Sequence, residues 1–165
     1  MRILFLIVLA LLNFNLTAAT PDINAIDVTW KGVFGYSDAE PATPFCLWAI
    51  GAYKSVNVQS ITSEWLAKHP NARVIPVGRM YHANEPDKRF TFVWVVDGDD
   101  NLNLELVRQG CFPALALILS ENALLIPKAD FAAFFKKALV AGTYAIEHKL
   151  GIYGQMQASP DQNQN

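Results

Sequence analysis

The run Asp97-Gly98-Asp99-Asp100-Asn101 is the densest group of side-chain oxygens in the chain. Oxygens at alternate positions are how a calcium loop of the EF-hand type begins. The twelve-residue pattern then fails twice, because its sixth residue is Leu102 where glycine is required and its twelfth is Arg108 where a bidentate glutamate is required. We therefore expect an acidic turn followed by a helix cap at this position.

Other motifs for catalysis or metal binding are absent from the sequence. The histidines, His69, His82 and His148, lack the spacing that puts two ligands on one helical face, so we expect ordinary surface histidines. The serines lack a Gly-x-Ser-x-Gly elbow, and no glycine-rich phosphate loop occurs. The four tryptophans could form a stacking platform for bases, but their strand and helix positions favour a place in the core.

The chain has two cysteines, Cys46 and Cys111, far apart in sequence. In an exported protein they could form one disulfide, while the default interpretation is two buried apolar thiols. The sequence alone does not supply the geometry that pairing requires. No Cys-x-x-Cys pair is present, which leaves a zinc or thiol-redox role without support.

The first residues have the layout of a secretory signal peptide. Arg2 is followed by an apolar run from Ile3 to Leu12 and by the small residues Thr17-Ala18-Ala19. The apolar run is about half of the roughly 20 residues that a membrane span needs. We therefore expect a signal peptide at residues 1–19, cleavage near Thr20, secretion or delivery to the periplasm, and no membrane segment in the mature protein.

The charge balance is slightly acidic. The whole chain has 13 Lys and Arg against 15 Asp and Glu, a formal charge of −2, and removal of Arg2 would make it one unit more negative. Proteins that bind nucleic acids strongly are usually basic, because they neutralise phosphates. The balance therefore argues against strong nucleic-acid binding.

Residue patterns predict several strands followed by separated helices. We predict strands over Val28–Tyr36, Phe45–Ile50, a bulged or edge strand over Arg73–Tyr81, and a central strand over Arg89–Val96 after a polar loop at His82–Lys88. This order favours an α+β domain with a small barrel or a curled sheet over a doubly wound fold.

Three helices are predicted. The apolar spacing of Val58 to Trp65 indicates an amphipathic helix that ends at His69-Pro70, and Asn103 to Gly110 has the composition of a short helix with asparagine as its N-cap. A long amphipathic helix over Ala129–Lys149 has one apolar stripe. The residues of that stripe are Phe131, Phe134, Phe135, Ala138, Gly142, Ala145 and Ile146.

Three segments resemble the staphylococcal nuclease (thermonuclease) family. Thr91–Gly110 is similar to the family's strand, Asp-Gly turn and Leu-Asn-x-Glu-Leu-Val-Arg-x-Gly helix, with a turn one residue longer. Phe45–Lys54 resembles the family's Phe-Arg-Leu-Trp-Gly-Ile-Asp-Ala-Pro-Glu in its apolar positions, and Lys149–Gly154 resembles its Leu-Gly-Ile-Trp-Gly ending. The resemblance implies a five-stranded OB-like β-barrel with about three α-helices over residues 20–154, followed by a disordered polar tail at 155–165.

The resemblance also implies which residues would form the active site. In the family, aspartates hold a calcium ion, a glutamate activates or orients water, and two arginines stabilise charge on the phosphate. Carried to this sequence, the first arginine falls on Cys46, a metal-binding aspartate on Gly51, the residue after it on Ala52, and the glutamate on Lys54. Each of these positions is degenerate.

The second arginine alone has a counterpart, Arg89, eight residues before Asp97 as in the family. The family's Gly-Asp-Thr turn falls in the region Trp30–Phe34, which contains no acid. A shifted alignment would use Asp38 or Glu40 as metal ligands, although the prolines beside them make such a slide costly for the strand.

These residues lead to two expectations about function. The first is an exported, non-catalytic staphylococcal nuclease-like protein that needs no cofactor and binds an unknown ligand or protein partner through the former nuclease cleft as a monomer. The alternative is a secreted, calcium-dependent nuclease of altered mechanism that hydrolyses DNA or RNA. It would place Arg89 and Lys54 on the phosphate and recruit acids from Asp38, Glu40 or Asp99. A structural or interaction role in the cell envelope is a third option, since fold alone does not give function.

Overall fold

The computed structural model describes residues 22–39, 41, 43–47, 57–82, 85–113 and 123–157. The expected signal peptide, the positions Gly51, Ala52 and Lys54, and Glu40 lie outside these ranges. Within the described residues, no helix is long and apolar enough to cross a membrane.

The strands of the described residues form one mixed sheet. They are β1 (Ile23–Asn24), β2 (Thr29–Lys31), β3 (Phe34–Tyr36), β4 (Phe45–Cys46), β5 (Arg73–His82), β6 (Glu85–Asp97) and β7 (Asp100–Asn101). The strand order is β1-β5-β6-β4-β3-β2, and β7 pairs with β6. The β4–β6 pair is parallel and the others are antiparallel.

The two ends of the sheet belong to one short stretch of chain. β1 pairs with β5 at one end and β2 pairs with β3 at the other, and only the 3₁₀ turn Ala25–Asp27 and Val28 separate β1 from β2. A sheet whose first and last strands are this close in sequence must curl. The predicted α+β class with a curled sheet is confirmed, and the strand order is consistent with an OB-like barrel.

The structure corrects the predicted strands in two places and confirms a third. Val28–Tyr36 is a hairpin and not one strand, because Gly32 adopts a left-handed φ of +61° and turns the chain back. The predicted loop His82–Lys88 largely belongs to the sheet, since β6 begins at Glu85. The predicted bulged strand is confirmed as β5, which is irregular between Pro76 and Gly78; β1 pairs only with its first two residues, Arg73 and Val74, and Gly78 forms one isolated bridge to Leu124.

The helices lie between and after the strands. They are α1 (Val58–Lys68), α2 (Leu102–Arg108), α3 (Lys128–Glu147) and α4 (Ile152–Gln157). The predicted first and last amphipathic helices are confirmed as α1 and α3. The cap of α1 is Asn57, whose Oδ1 accepts a hydrogen bond from the Ser60 amide at 3.0 Å. α4 continues to Gln157, so the first residues of the predicted disordered tail are helical.

Asn101, and not Asn103, is the N-cap of α2. The Asn101 Oδ1 accepts a hydrogen bond from the Leu104 amide at 3.2 Å. Asn103 is completely buried and points into the sheet instead. Its Oδ1 accepts from the Val95 amide at 3.1 Å, and its Nδ2 donates to the carbonyl oxygens of Val93, at 3.0 Å, and Leu47. The side chain therefore ties α2 to β6 and to the residue that follows β4.

The core joins the curled sheet to α1, α2 and α3. Phe92, Val93 and Val95 of β6 are all fully buried, so both faces of this strand are covered, as the sequence predicts. The docked stripe of α3 includes Phe134 and Ala138. Ile146 departs from the prediction, because it is 53% exposed.

Candidate functional site

Cys46, at the position where the resemblance places the first phosphate-binding arginine, is part of an apolar layer. It lies in β4 between Phe34 of β3 and Phe92 of β6, and only 7% of its surface is exposed. Paired residues on neighbouring strands share a face, so all three side chains lie on one side of the sheet. The ring of Phe34 also lies 5.4 Å from the ring of Phe90.

The Cys46 thiol cannot supply the positive charge that an arginine would bring to a phosphate. A thiol carries no positive charge in either protonation state, and burial raises the pKa of Cys46 to about 12, which disfavours its anionic form. Burial and the nearby Glu105 carboxylate likewise raise the pKa of Cys111 to about 12. Both cysteines are buried free thiols, which decides between the two options left open by the sequence.

The turn between β2 and β3 lies in the region where the resemblance places a metal-binding acid. The amide of Gly32 donates a hydrogen bond to Gln59 Oε1 of α1 at 2.8 Å, and Leu47 N donates to the Val33 carbonyl oxygen at 2.9 Å. The turn is thus held by an amide side chain and by backbone bonds. Among the described residues, no group of three or more histidines, cysteines or acids is arranged to hold a metal ion.

Arg89, to which the resemblance assigns the second arginine, lies in β6 opposite Tyr81 of β5 and is exposed. It is three residues before Phe92, the partner of Cys46, which is roughly 10 Å along the strand. Successive residues of a strand face opposite sides. Arg89 therefore lies on the face of Thr91 and Phe45, whereas Cys46 lies on the face of Phe92. The structure brings the two positions to adjacent strands but to opposite faces.

The acids that a shifted nuclease site would recruit are separated. Asp99 follows the far end of β6, ten residues from Arg89 and on the order of 30 Å away along the strand. Asp38 is exposed in the loop before β4, where Tyr36 and Pro44 help to line a cavity of about 210 Å³. Asp99 is therefore excluded as a partner of Arg89 at one phosphate.

The acidic run forms a tight hairpin between β6 and β7. Asp97 pairs with Asp100, and Gly98 adopts a φ of +58° between them. His69 at the end of α1 approaches this hairpin, with its Nδ1 3.4 Å from Asp97 Oδ2, and its ring stacks on Trp65 at a centroid distance of 3.9 Å. His69 is therefore partly buried and not the ordinary surface histidine that the sequence predicts.

Two adjoining cavities of about 320 and 260 Å³ lie where this hairpin meets α2 and α3, far from Arg89. Both are lined by Asp99, Asp100, Asn101, Leu104 and Lys137.

Aromatic side chains that line these cavities, among them Trp94 and Tyr144, already contact other side chains. Trp94 stacks on Phe134 at 4.5 Å, and Tyr144 lies beneath the Arg108 guanidinium at 4.3 Å.

Trp30 is buried, and its Nε1 donates to the Ala25 carbonyl oxygen at 3.0 Å. For Trp30 and Trp65 the predicted core role is confirmed.

No protein-family model matches this chain, and no curated protein matches it either. The geometry of the described residues therefore carries the functional argument. That geometry has a buried thiol at Cys46, an exposed arginine, Arg89, on the opposite face, and a β2–β3 turn without an acid.

Proposed function

We propose that this chain is an exported, staphylococcal nuclease-like protein that does not hydrolyse phosphodiester bonds and acts by binding a ligand or protein partner at the former nuclease cleft. The observation that carries the proposal is the burial of Cys46, whose uncharged side chain is packed between Phe34 and Phe92. Phosphoryl chemistry in this family requires a guanidinium at that position to stabilise the developing charge.

The fold assignment within the proposal rests on two features. The first is a parallel β4–β6 pair inside an otherwise antiparallel curled sheet whose order is compatible with an OB-like barrel. The second is the contact between the two glycine-containing motifs that resemble the family, at Gly110 and Gly151. A five-stranded barrel of the staphylococcal nuclease type accounts for both.

The loss of catalysis follows from missing electrostatic contacts. Removal of one preorganised charge-stabilising contact commonly costs about 10²- to 10³-fold in rate. Here the first arginine is replaced by Cys46 and the β2–β3 turn has no acid, while Gly51 and Lys54 stand where the family has a metal ligand and the catalytic glutamate. Lys54 would also bring positive charge to a calcium site, so no calcium cofactor is part of the proposal.

A calcium-dependent nuclease of altered mechanism is the second candidate, and the exposed Arg89 on β6 is the observation in its favour. Its acids would have to come from Asp38 or from Glu40. The exclusion of Asp99 and the opposite faces of Arg89 and Cys46 make this candidate weaker.

Thermal unfolding in the presence of family ligands separates the two candidates. The purified protein is titrated with calcium and a nucleoside 3′,5′-bisphosphate, separately and together, and the unfolding temperature is followed. A ligand stabilises only the state that it binds, so the binding-protein proposal predicts no shift with either. A saturable upward shift that requires both, and that is lost in Arg89→Ala, would favour the nuclease and overturn the proposal.

A further inference from the structure

The face of α3 that points away from the core is unusually apolar. Leu139, Val140 and Ile146 are 40%, 72% and 53% exposed, although the opposite stripe of the same helix is docked on the domain. We call this outward surface the outer face of α3. Its residues are Ala132, Lys136, Leu139, Val140, Thr143, Ile146 and Glu147.

The charges on the outer face are arranged to complement a second copy of themselves. Lys136 and Glu147 are eleven residues apart, which is about 16 Å and three turns of helix, so they lie on nearly the same line. A two-fold axis midway between them places Lys136 of each copy opposite Glu147 of the other. The dimer therefore contains two such pairs. Among the described residues, neither side chain forms an ion pair within its own chain.

The residues nearest that axis are compatible with burial. Val140 and Thr143 lie at equal distances on either side of the midpoint, so Val140 of one copy faces Thr143 of the other. The Thr143 hydroxyl donates a hydrogen bond to the Leu139 carbonyl oxygen at 3.0 Å. Because this hydroxyl already has its partner, the threonine can present its methyl group to Val140 without leaving a polar group unsatisfied.

We propose that the outer face of α3 is the contact surface of a weak, two-fold symmetric homodimer in which the two α3 helices pack antiparallel. The contact combines an apolar centre at Leu139, Val140 and Thr143 with reciprocal Lys136–Glu147 ion pairs. Such isologous contacts are the commonest form of homo-oligomer. One helix face buries less surface than a standard interface, so the dimer forms only at high protein concentration, and the monomer expected from the sequence is the dilute form.

Sedimentation equilibrium over a range of concentrations tests this dimer. The wild-type mass should rise from one chain toward two. Lys136→Glu and Glu147→Lys should each weaken association about tenfold, because each turns two attractive pairs into two repulsive ones. The combined Lys136→Glu/Glu147→Lys variant should return to within about threefold of the wild type, because the swapped charges again complement each other.

Two further variants control for net charge and for packing. Lys68→Glu makes the same charge change as Lys136→Glu at an exposed position of α1, and it should leave the dissociation constant unchanged. Val140→Asp should abolish association, since it buries two carboxylates at the axis. Circular dichroism checks that each variant is folded, and the exposure of the mutated side chains predicts that all are.

A single-chain mass at every concentration would overturn the proposal. A dimer that forms in Val140→Asp, or a combined charge swap that is as weak as the single variants, would overturn it as well. The last two results would assign association to another surface.

Discussion

Gly110 and Gly151 approach each other so closely that neither position has room for a side chain. The amide of Ile152 donates a hydrogen bond to the Gly110 carbonyl oxygen at 3.0 Å, and the two glycines have φ values of +71° and +52°. A Cβ on Gly110 would collide with the Leu150 carbonyl group, and a Cβ on Gly151 would collide with Gly110 itself. This contact joins the end of α2 to the start of α4.

Gly110→Ala and Gly151→Ala should therefore each reduce the free energy of unfolding by about 3 kcal/mol or more, because backbone strain and a steric clash act together. Urea denaturation gives the values. Gly98→Ala is the matched control, since Gly98 has a φ of +58° but open space around its Cβ position, and it should cost only about 1 kcal/mol. Equal costs at all three glycines would contradict the close contact.

Asn103→Ala should reduce the free energy of unfolding by about 3–5 kcal/mol, because it leaves the Val95 amide and the carbonyl groups of Val93 and Leu47 without their side-chain partner. Asn101→Ala removes only a helix cap and should cost about 1 kcal/mol. The comparison is made by urea denaturation of the two variants. A larger loss at Asn101 than at Asn103 would mean that the cap assignment is wrong.

Cys46→Arg should destabilise the protein by about 3–5 kcal/mol, because it places a guanidinium without a partner in an apolar layer. Cys46→Ala, which keeps the layer apolar, should cost about 1 kcal/mol. Both values come from chemical denaturation. If the arginine variant were as stable as the alanine variant, position 46 would face solvent and the argument from its burial would fail.

The buried thiols predict a loss of stability at alkaline pH. Cys46 and Cys111 have a pKa of about 12 in the folded state and 9.0 when unperturbed, so above pH 9 the unfolded chain releases protons that the folded chain keeps. Their contribution is therefore fully present below pH 9 and is lost as the pH rises toward 12. The measurement is the urea midpoint between pH 8 and pH 11.

The Cys46→Ala/Cys111→Ala variant is the control for this pH dependence, because lysines and tyrosines also titrate in the same range. Its midpoint should fall less steeply with pH than that of the wild type. Identical slopes would show that the thiols are exposed or already ionised in the folded protein.

The sequence was informative where a pattern is long or local. The apolar spacing of α1 and α3 predicts both helices to within two residues, and the run of Phe, Val and Trp in β6 predicts a strand covered on both faces. The glycine motif after α2 predicts the end of that helix. These signals depend on residues that are close together in the chain.

The errors arise where a distant partner decides the outcome. Asparagine is a common helix cap, but the hydrogen bonds of Asn103 to the backbone of Val93 and Val95 hold its side chain in the core. The sequence predicts that His69 is a surface residue, but the fold brings Asp97 Oδ2 to 3.4 Å from its Nδ1. The face on which Arg89 lies depends on the register of β4 against β6, which no local pattern specifies.

Cleavage of single-stranded DNA and RNA is the measurement that tests the non-catalytic assignment most directly. The purified protein is incubated with each substrate in calcium, magnesium, manganese or a chelator, beside an Arg89→Ala variant prepared in the same way. A non-catalytic protein should show no metal-dependent hydrolysis and no difference between the wild type and Arg89→Ala. Metal-dependent hydrolysis by the wild type that is abolished in Arg89→Ala would contradict that assignment.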